Sequence, residues 1–213
     1  MDAVKKANPS INEKMRAILV DWLVDVCINF KLNDYSLHLG VTILDRYILA
    51  PKKYEITRCT LQAVGITCMV IACKITEVYS PNIADWNYIS DNSVKVEDIQ
   101  KYELDILRAM DYDVMVDTLM FEYEKSAVLD PNVKYFLDMC LMDFALLQNN
   151  PLDCIVESCT ELHYEKGNFW STCMERIQNI TNAHATSNGS LHAIYQKHKM
   201  KQKSENHLKS DIQ

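Results

Sequence analysis

The sequence predicts an all-α protein that consists of two tandem five-helix bundles, the second of them divergent or shortened. Only 4 Gly and 5 Pro occur in 213 residues, whereas 48% of the residues are hydrophobic and 24% are charged. So few chain breakers disfavour a turn-rich β-sandwich or barrel, and the apolar fraction disfavours disorder. The length suits one large domain or two domains of about 100 residues, either of which would bury its own core.

The first predicted helix covers residues 13–30 and is apolar almost all round. One stripe recurs at helical spacing: Met15, Ile18, Leu19, Trp22 and Val26. A helix of this kind must be enclosed within a bundle, or it must lie between its own core and a partner. A place at the centre of a bundle accounts for most of these residues.

Four more helices complete the first bundle, with short connections between them. Asn33, Asp34 and Ser36 offer N-caps for the second helix, and Pro51 ends it. The third helix contains Gly65, a small residue that lets another helix approach closely. The predicted ranges are Leu37 to Ile48, Thr57 to Pro81, Ile83 to Ile89, and a last helix with apolar positions Ile99, Leu104, Leu107 and Met110.

The second half repeats this plan less clearly. Its predicted helices lie near 117–129, 132–148, 152–165, 169–184 and 189–200. The helix near 152–165 contains Glu157, Glu161 and Glu165 in place of the small residues of a usual third helix, so the second bundle departs from the first. The chain therefore divides into a short N-terminal extension (1–12), a first bundle (13–115), a second bundle (116–200) and a basic, flexible tail (201–213).

Charge and cysteine content limit the classes of partner and compartment. The net charge of −7 and pI of about 5.4 disfavour broad binding to nucleic acid or anionic lipid. The sequence contains neither a secretory leader nor an uncharged apolar stretch of about 18 residues, so we expect a soluble intracellular protein. The eight cysteines form no C-x-x-C pair, and most have apolar neighbours, which predicts reduced core residues and no metal site.

The common motifs of catalysis are missing. The six histidines form no H-E-x-x-H, and no G-x-x-x-x-G-K phosphate loop occurs. His184, His192 and His198 are best interpreted as surface residues. We therefore expect a binding protein that is not an enzyme and that needs neither a cofactor nor a metal ion.

Four blocks of the first bundle, in colinear order, resemble the cyclin box of mitotic A/B-type cyclins. They are MRAILVDWLVDV (Met15 to Val26), LHLGVTILDRYI (Leu37 to Ile48), TLQAVGITCMVIACKITEVYSP (Thr60 to Pro81) and YISDNSVKVEDIQKYELDILRAMDYDV (Tyr88 to Val114). The resemblance implies two cyclin folds. It also implies a nuclear or cytoplasmic regulatory subunit that activates a cyclin-dependent Ser/Thr kinase in cell-cycle control. The N-terminal helix of the family is expected to be absent or reduced to a stub within residues 1–12.

The resemblance also implies where the kinase binds. Lys74 and Glu103 correspond to the two polar residues that contact the PSTAIRE-type kinase, although without the resemblance each would be interpreted as an ordinary exposed charge on a helix. The apolar pocket for an isoleucine of the kinase helix corresponds to Ile75, Leu107, Tyr112 and Val114. Ile75 and Tyr112 stand where cyclins usually carry phenylalanine, which predicts a pocket of different shape.

A second implied site is the hydrophobic patch that docks R-x-L motifs of substrates and inhibitors. Asp25 replaces the usual glutamate that pairs with the arginine of the motif. The residues that correspond to the patch are Met15, Ile18, Leu19, Trp22, Asp25, Leu61 and Gln62. For Trp22, a place in the core is the alternative.

The resemblance further implies a structural ion pair between Arg16 and Asp45 inside the box. Two other functions stay open at this point. One is a pseudo-cyclin that binds a kinase or docking peptides without activating the kinase. The other is a cyclin-fold transcription adaptor, although such proteins carry basic faces that this chain lacks.

Overall fold

The computed structural model describes residues 3–125, 131–144, 193–194 and 196–198. Within these residues all regular secondary structure is helical, which confirms the predicted all-α class. None of the described helices is both long and apolar enough to span a membrane. The helices are α1 (Ala3–Ala7), α2 (Glu13–Phe30), α3 (Asp34–Leu49), α4 (Leu61–Thr76), α5 (Ile83–Ile89), α6 (Val96–Ala109), α7 (Leu119–Lys125) and α8 (Pro131–Cys140).

Parts of the predicted second half lie outside the described residues. These parts are the last residues of the helices near 117–129 and 132–148, the helices near 152–165 and 169–184, most of the helix near 189–200, and the tail 201–213. The N-terminal extension contains the five-residue helix α1. It is fixed to the first bundle, because Val4 is fully buried and the Asn8 side chain donates to the Ile48 carbonyl at 2.8 Å.

Helices α2 and α3 begin and end at local signals in the sequence. The Asn12 side chain caps α2 by accepting from the Met15 amide at 2.9 Å. Lys31 ends α2 in the left-handed region with φ of 56°. Asn33 then caps α3, as the sequence predicts, and Pro51 follows its last turn.

Helix α4 lies at the centre of the first bundle, and its residues from Ala63 to Cys73 are all buried. It packs against α2, α3 and α6. Two glycines permit the close approach. A Cβ at Gly40 would overlap Met69, and a Cβ at Gly65 would lie 2.8 Å from Cδ2 of Leu19. The small residue predicted at Gly65 therefore brings α2 against α4.

Helix α4 is shorter than predicted at both ends. Residues 57–60 form a turn, in which the Thr57 amide donates to the Thr60 hydroxyl at 2.9 Å, and the helix proper begins at Leu61. At the other end α4 stops at Thr76, before Pro81. The side chain of Glu77 then reaches α3, where it accepts from the Asn33 amide at 2.7 Å.

Helices α5 and α6 close the first bundle. A capping box formed by Asn82 and Asp85 starts α5, whose position agrees with the prediction. The buried face of α6 carries Ile99, Tyr102 and Ile106. Leu104 belongs to the predicted apolar positions, but it lies off this face and is 44% exposed.

Five cysteines lie within the described residues, and none of them forms a disulfide. Cys27, Cys68, Cys73 and Cys140 are buried, whereas Cys59 is exposed. Burial, with a smaller contribution from the Glu77 carboxylate, raises the pKa of Cys73 to about 12. Burial also raises the pKa of Cys27 and Cys68, so these three thiols are protonated and act as small core residues.

A buried charge cluster centred on Asp138 of α8 joins the second half of the chain to α3. Asp138 is 0% exposed. Its carboxylate forms hydrogen bonds with Nε2 of His38 at 2.9 Å, Nζ of Lys197 at 2.8 Å and Nε2 of His198 at 2.7 Å. His198 is thus not the surface residue that the sequence indicates.

Asp34 at the first turn of α3 extends the charge cluster. It pairs with Lys197 at 2.7 Å and with Lys134 of α8. Burial by itself raises the pKa of Asp138, but Lys197 and the two histidines outweigh it and hold that pKa well below its ordinary value. The pKa of Asp34 is likewise lowered, because Lys197 and Lys134 outweigh burial.

Candidate functional site

A groove lies on the surface between α2 and the start of α4. Its volume is about 450 Å³. We call this surface the α2–α4 groove. Its lining residues are Asn12, Lys14, Met15, Ile18, Leu19, Trp22, Arg58, Leu61 and Gln62.

The apolar lining follows from the spacing of residues on α2. Met15, Ile18, Leu19 and Trp22 recur at steps of three and four, so they share one helix face. Leu19 is buried against Gly65, whereas Ile18 is 47% exposed at the rim. The groove is therefore an apolar surface that opens to solvent and continues the core below it.

Six of the seven residues predicted for the docking patch line this groove. The exception is Asp25, which is exposed and lies one helical turn beyond Trp22 on the same face of α2. Trp22 is half-buried, so it contributes both to the core and to the groove. Its role in docking stays a prediction.

Sequence reasoning missed three lining residues, Asn12, Lys14 and Arg58. Each follows from its neighbours, since Asn12 caps α2, Lys14 precedes Met15, and Arg58 lies one turn before Leu61. Lys14 and Arg58 are exposed. Among the described residues that line the groove none is a carboxylate, so this lining carries a positive charge although the whole chain is acidic.

A second surface lies where the C-terminal end of α4 meets α6, and we call it the α4–α6 surface. Lys74 of α4 and Glu103 of α6 form an ion pair there. The Lys74 side chain is 48% exposed and that of Glu103 is 20% exposed. The two residues predicted to contact a kinase thus lie side by side, and here they form an ion pair with each other.

The four predicted pocket residues surround this end of the bundle at different depths. Ile75 follows Lys74 directly, and Leu107 lies one turn after Glu103 on the same face of α6. Tyr112 is 63% exposed, with φ of 62°, and its amide donates to the Leu107 carbonyl at 2.8 Å. Val114 is 8% exposed and belongs to the hydrophobic core.

Sequence reasoning missed the extent of exposed apolar area near these residues. Val78 and Tyr79, in the loop after α4, are 89% and 92% exposed. Leu104 and Met115 are also exposed, at 44% and 64%. Several large apolar side chains exposed near one another are typical of an interaction site. The signal was Val78-Tyr79, separated from Pro81 only by Ser80, at the end of the helix that the sequence predicts and beyond the observed end of α4 at Thr76.

The predicted structural pair, Arg16 and Asp45, lies in the interior between α2 and α3. Nε of Arg16 donates to Oδ1 of Asp45 at 2.6 Å, and Nη2 donates to Oδ2 at 2.7 Å. Nη1 donates to the Leu141 carbonyl at 2.8 Å. Both side chains are almost fully buried, so this pair belongs to the fold and not to either surface.

Comparison with known proteins identifies the family. The family model of the cyclin N-terminal domain matches residues 1–115. The G2/mitotic-specific cyclin-B2 of Oryzias luzonensis is 32% identical over 182 residues, which cover 82% of this chain and 46% of that protein. The G1/S-specific cyclin-E of Drosophila melanogaster is 38% identical over 112 residues, which cover 53% of this chain and 16% of that protein.

A solved structure supports the same fold. A viral cyclin from herpesvirus saimiri aligns with a TM-score of 0.60 and 21% identity, over 92% of this chain and 89% of that one. The chain spans less than half the length of the mitotic cyclins that it matches. With a cyclin N-terminal domain over more than half of its length, and with relatives among the G2/mitotic-specific B-type cyclins, the chain belongs to the cyclin family.

Proposed function

We propose that this chain is a regulatory subunit that binds and activates a PSTAIRE-type cyclin-dependent kinase in cell-cycle control. It supplies no catalytic group of its own. The observation that supports this proposal most directly is the α4–α6 surface, where an exposed ion pair lies beside exposed apolar side chains. Such a surface suits a partner helix that buries apolar residues and presents polar backbone groups at its end.

Activation would follow from preferential binding to one state of the kinase. A protein kinase is active when its β3 lysine pairs with a glutamate of its mobile helix. A partner that binds only the inward position of that helix shifts the population towards the active state. Ile75, Leu107 and Tyr112 would bind the apolar face of the helix, together with Val78 and Tyr79 from the adjoining loop.

Lys74 and Glu103 would exchange their mutual contact for contacts to the kinase. Lys74 is a donor for backbone carbonyls, and Glu103 is an acceptor for backbone amides. An ion pair as exposed as this one contributes little to stability, about 0–1 kcal/mol, so breaking it costs little when the partner replaces the lost contacts.

We further propose that the α2–α4 groove docks R-x-L motifs of substrates and inhibitors. The leucine and any following apolar residue would enter the apolar part of the groove, against Met15, Ile18 and Trp22. The arginine of the motif would pair with Asp25 beyond Trp22. The proposed boundaries of the two cyclin folds are 13–115 and 116–200, with both proposed binding surfaces on the first fold.

Reconstitution of kinase activity tests the main proposal. The purified chain is mixed with a PSTAIRE-type kinase from the same cells, and complex formation and phosphotransfer to a model substrate are measured. We expect a complex and activation, and we expect Lys74→Ala with Glu103→Ala to weaken binding. Lys53→Ala with Glu97→Ala is the matched control, since it removes the same two charges from exposed positions elsewhere.

Three results would overturn parts of this proposal. If no such kinase forms a complex with the chain, the regulatory function is wrong. If a complex forms without kinase activity, the chain is a pseudo-cyclin. If the Lys74 and Glu103 double variant binds the kinase as the control variant does, the α4–α6 surface is not the site.

A further inference from the structure

We infer that the α2–α4 groove selects R-x-L peptides that carry an acidic residue on the C-terminal side of the motif. The acid would be recognised by Lys14 and Arg58. This inference rests on the proposed docking function of the groove and adds a preference that the motif itself does not contain. It concerns a peptide partner with an apolar centre, a basic N-terminal end and an acidic C-terminal end.

Two cations of the groove have no partner within the described part of the chain. Lys14 and Arg58 line the groove and are exposed. Within the described residues, neither forms a hydrogen bond, an ion pair or a cation–π contact. Some other exposed cations of the chain have a partner, as Lys101 does on the ring of Tyr54 at 4.0 Å, whereas Lys14 and Arg58 differ in lining a groove. Two unpaired cations beside an apolar groove leave an anionic side chain of a ligand as the complementary group.

The two ends of the α2 side of the groove differ in charge. Among the described residues that line the groove none is a carboxylate; Asp21 of α2 is buried and accepts from the Ala193 amide at 3.1 Å, whereas Asp25, one turn beyond Trp22, is exposed. The α2 side of the groove therefore has a basic end at Lys14 and an acidic end at Asp25, and Arg58 adds a second cation to the lining. A peptide that places its arginine at Asp25 and its leucine in the apolar part must run towards the basic end.

The length of α2 between its cation and its carboxylate sets the spacing in the peptide. Lys14 and Asp25 are eleven positions apart on α2, which corresponds to about 16 Å along the helix axis. An extended peptide covers that span with about five residues. The acid should therefore lie about five positions after the arginine, with a tolerance of about one position because lysine and arginine side chains are long.

Peptide binding to the full chain tests the inference without any change to the protein. Four labelled R-x-L peptides are compared by fluorescence anisotropy. At the position five residues after the arginine, the first peptide carries Glu, the second Ala and the third Lys. The fourth peptide carries its Glu on the N-terminal side of the arginine instead. We expect the first peptide to bind about two- to fivefold tighter than the second, the range typical of exposed ion pairs. The Lys peptide should bind more weakly than the Ala peptide, and high salt should reduce all these differences.

Charge-reversal variants make the assignment specific. With Lys14→Glu and Arg58→Glu together, the order of the Glu and Lys peptides should invert. Lys31→Glu is the matched control, because Lys31 is exposed at the other end of α2, about 25 Å from Lys14 along the helix axis. That control should keep the order found for the unchanged chain.

The outcomes separate this inference from the function on which it rests. If none of the R-x-L peptides binds, the docking function fails and the preference fails with it. If all four peptides bind equally, docking stands and the acidic preference is wrong. If the peptide with the Glu before the arginine binds as tightly as the first, the proposed polarity is wrong. If the charge-reversal variant keeps the original order, Lys14 and Arg58 are not the residues that recognise the acid.

Discussion

Two ion pairs of the first bundle have similar chemistry but lie at different depths. Arg16 and Asp45 join α2 to α3, and their side chains are 0% and 4% exposed. Lys74 and Glu103 join α4 to α6, and their side chains are 48% and 20% exposed. In each case a cation of one helix reaches a carboxylate of another helix that is 29 positions away in sequence.

Burial decides what each pair can do. A buried pair cannot exchange its partner for water, so it is committed to the fold, and loss of one member leaves a charge stranded in a low dielectric. An exposed pair is already solvated and can exchange its partner for another protein at little cost. Burial therefore distinguishes the pair that holds the bundle together, Arg16 and Asp45, from the pair that is available for binding, Lys74 and Glu103. Both pairs lie within the sequence blocks that resemble the cyclin box.

The largest effect is expected from loss of the buried cation. Arg16→Met leaves the Asp45 carboxylate and the Leu141 carbonyl without their donors. We expect the free energy of unfolding to fall by about 3–5 kcal/mol, the range for breaking a buried pair. Urea denaturation followed by circular dichroism measures this change.

The paired replacement is the control for that prediction. Arg16→Met with Asp45→Leu removes both charges and fills the space with apolar atoms, so most of the lost stability should return. If the double variant were as unstable as Arg16→Met alone, the cost would come from lost packing and the bond to Leu141 and not from the stranded carboxylate.

Replacement of Asp138 should lower the stability somewhat less than replacement of Arg16. Asp138 is as deeply buried as Arg16, but it belongs to a cluster with several charged partners. Asp138→Asn should lower the free energy of unfolding by about 3 kcal/mol at pH 7, the lower end of the range for a buried pair. The loss is limited because Lys197 keeps Asp34, which also retains Lys134. His38 and His198 lose their carboxylate partner. Denaturation of both chains at pH 7, 5, 4 and 3 measures the difference.

The sign of the pH dependence follows from the lowered pKa of Asp138 in the folded state. A carboxyl with a lowered folded pKa stabilises the fold fully above its unfolded pKa, about 3.9, and loses this contribution as the pH falls towards the folded value. The stability difference between the unchanged chain and Asp138→Asn should therefore shrink below about pH 4. A difference that grew as the pH fell would contradict the proposed charge state.

A smaller effect is expected at Gly65, where the fold and the groove meet. In Gly65→Ala the new methyl group would lie 2.8 Å from Cδ2 of Leu19, so the leucine must move towards the groove. We expect a loss of about 1–2 kcal/mol from overpacking, together with weaker binding of R-x-L peptides. A double-mutant cycle with Leu19→Ala measures the coupling, and additive effects would show that the two residues are independent.

The local features of the fold could be predicted from the sequence alone. Asn33 and Pro51 define the start and end of α3, because an N-cap side chain and a proline act on their own neighbours. The start of α4 could not be predicted as well. Thr57 resembles a helix start, but the Thr60 hydroxyl binds the Thr57 amide and forms a separate turn, so the helix begins later.

The contacts between distant residues were the part that spacing could not predict. Helical periodicity indicates that Lys74 and Glu103 each lie on a helix surface, but not that these surfaces face one another. The cluster at Asp138 is a stronger case, since His38 of α3 and Lys197 are far apart in sequence and meet only at the Asp138 carboxylate of α8. Arg58 joins the groove in the same way, because it is distant in sequence from the α2 residues that it meets there.

Loss of the exposed ion pair should have the smallest effect on stability. The same loss should have the largest effect on kinase binding. Lys74→Ala with Glu103→Ala should change the free energy of unfolding by about 0–1 kcal/mol, because solvent already screens both charges. The same variant should bind the kinase clearly more weakly. Denaturation and kinase binding measured on one preparation test both halves of this statement. A loss of stability near that of Arg16→Met would mean that Lys74 and Glu103 hold α4 against α6, and weaker kinase binding would then reflect a damaged fold instead of lost contacts.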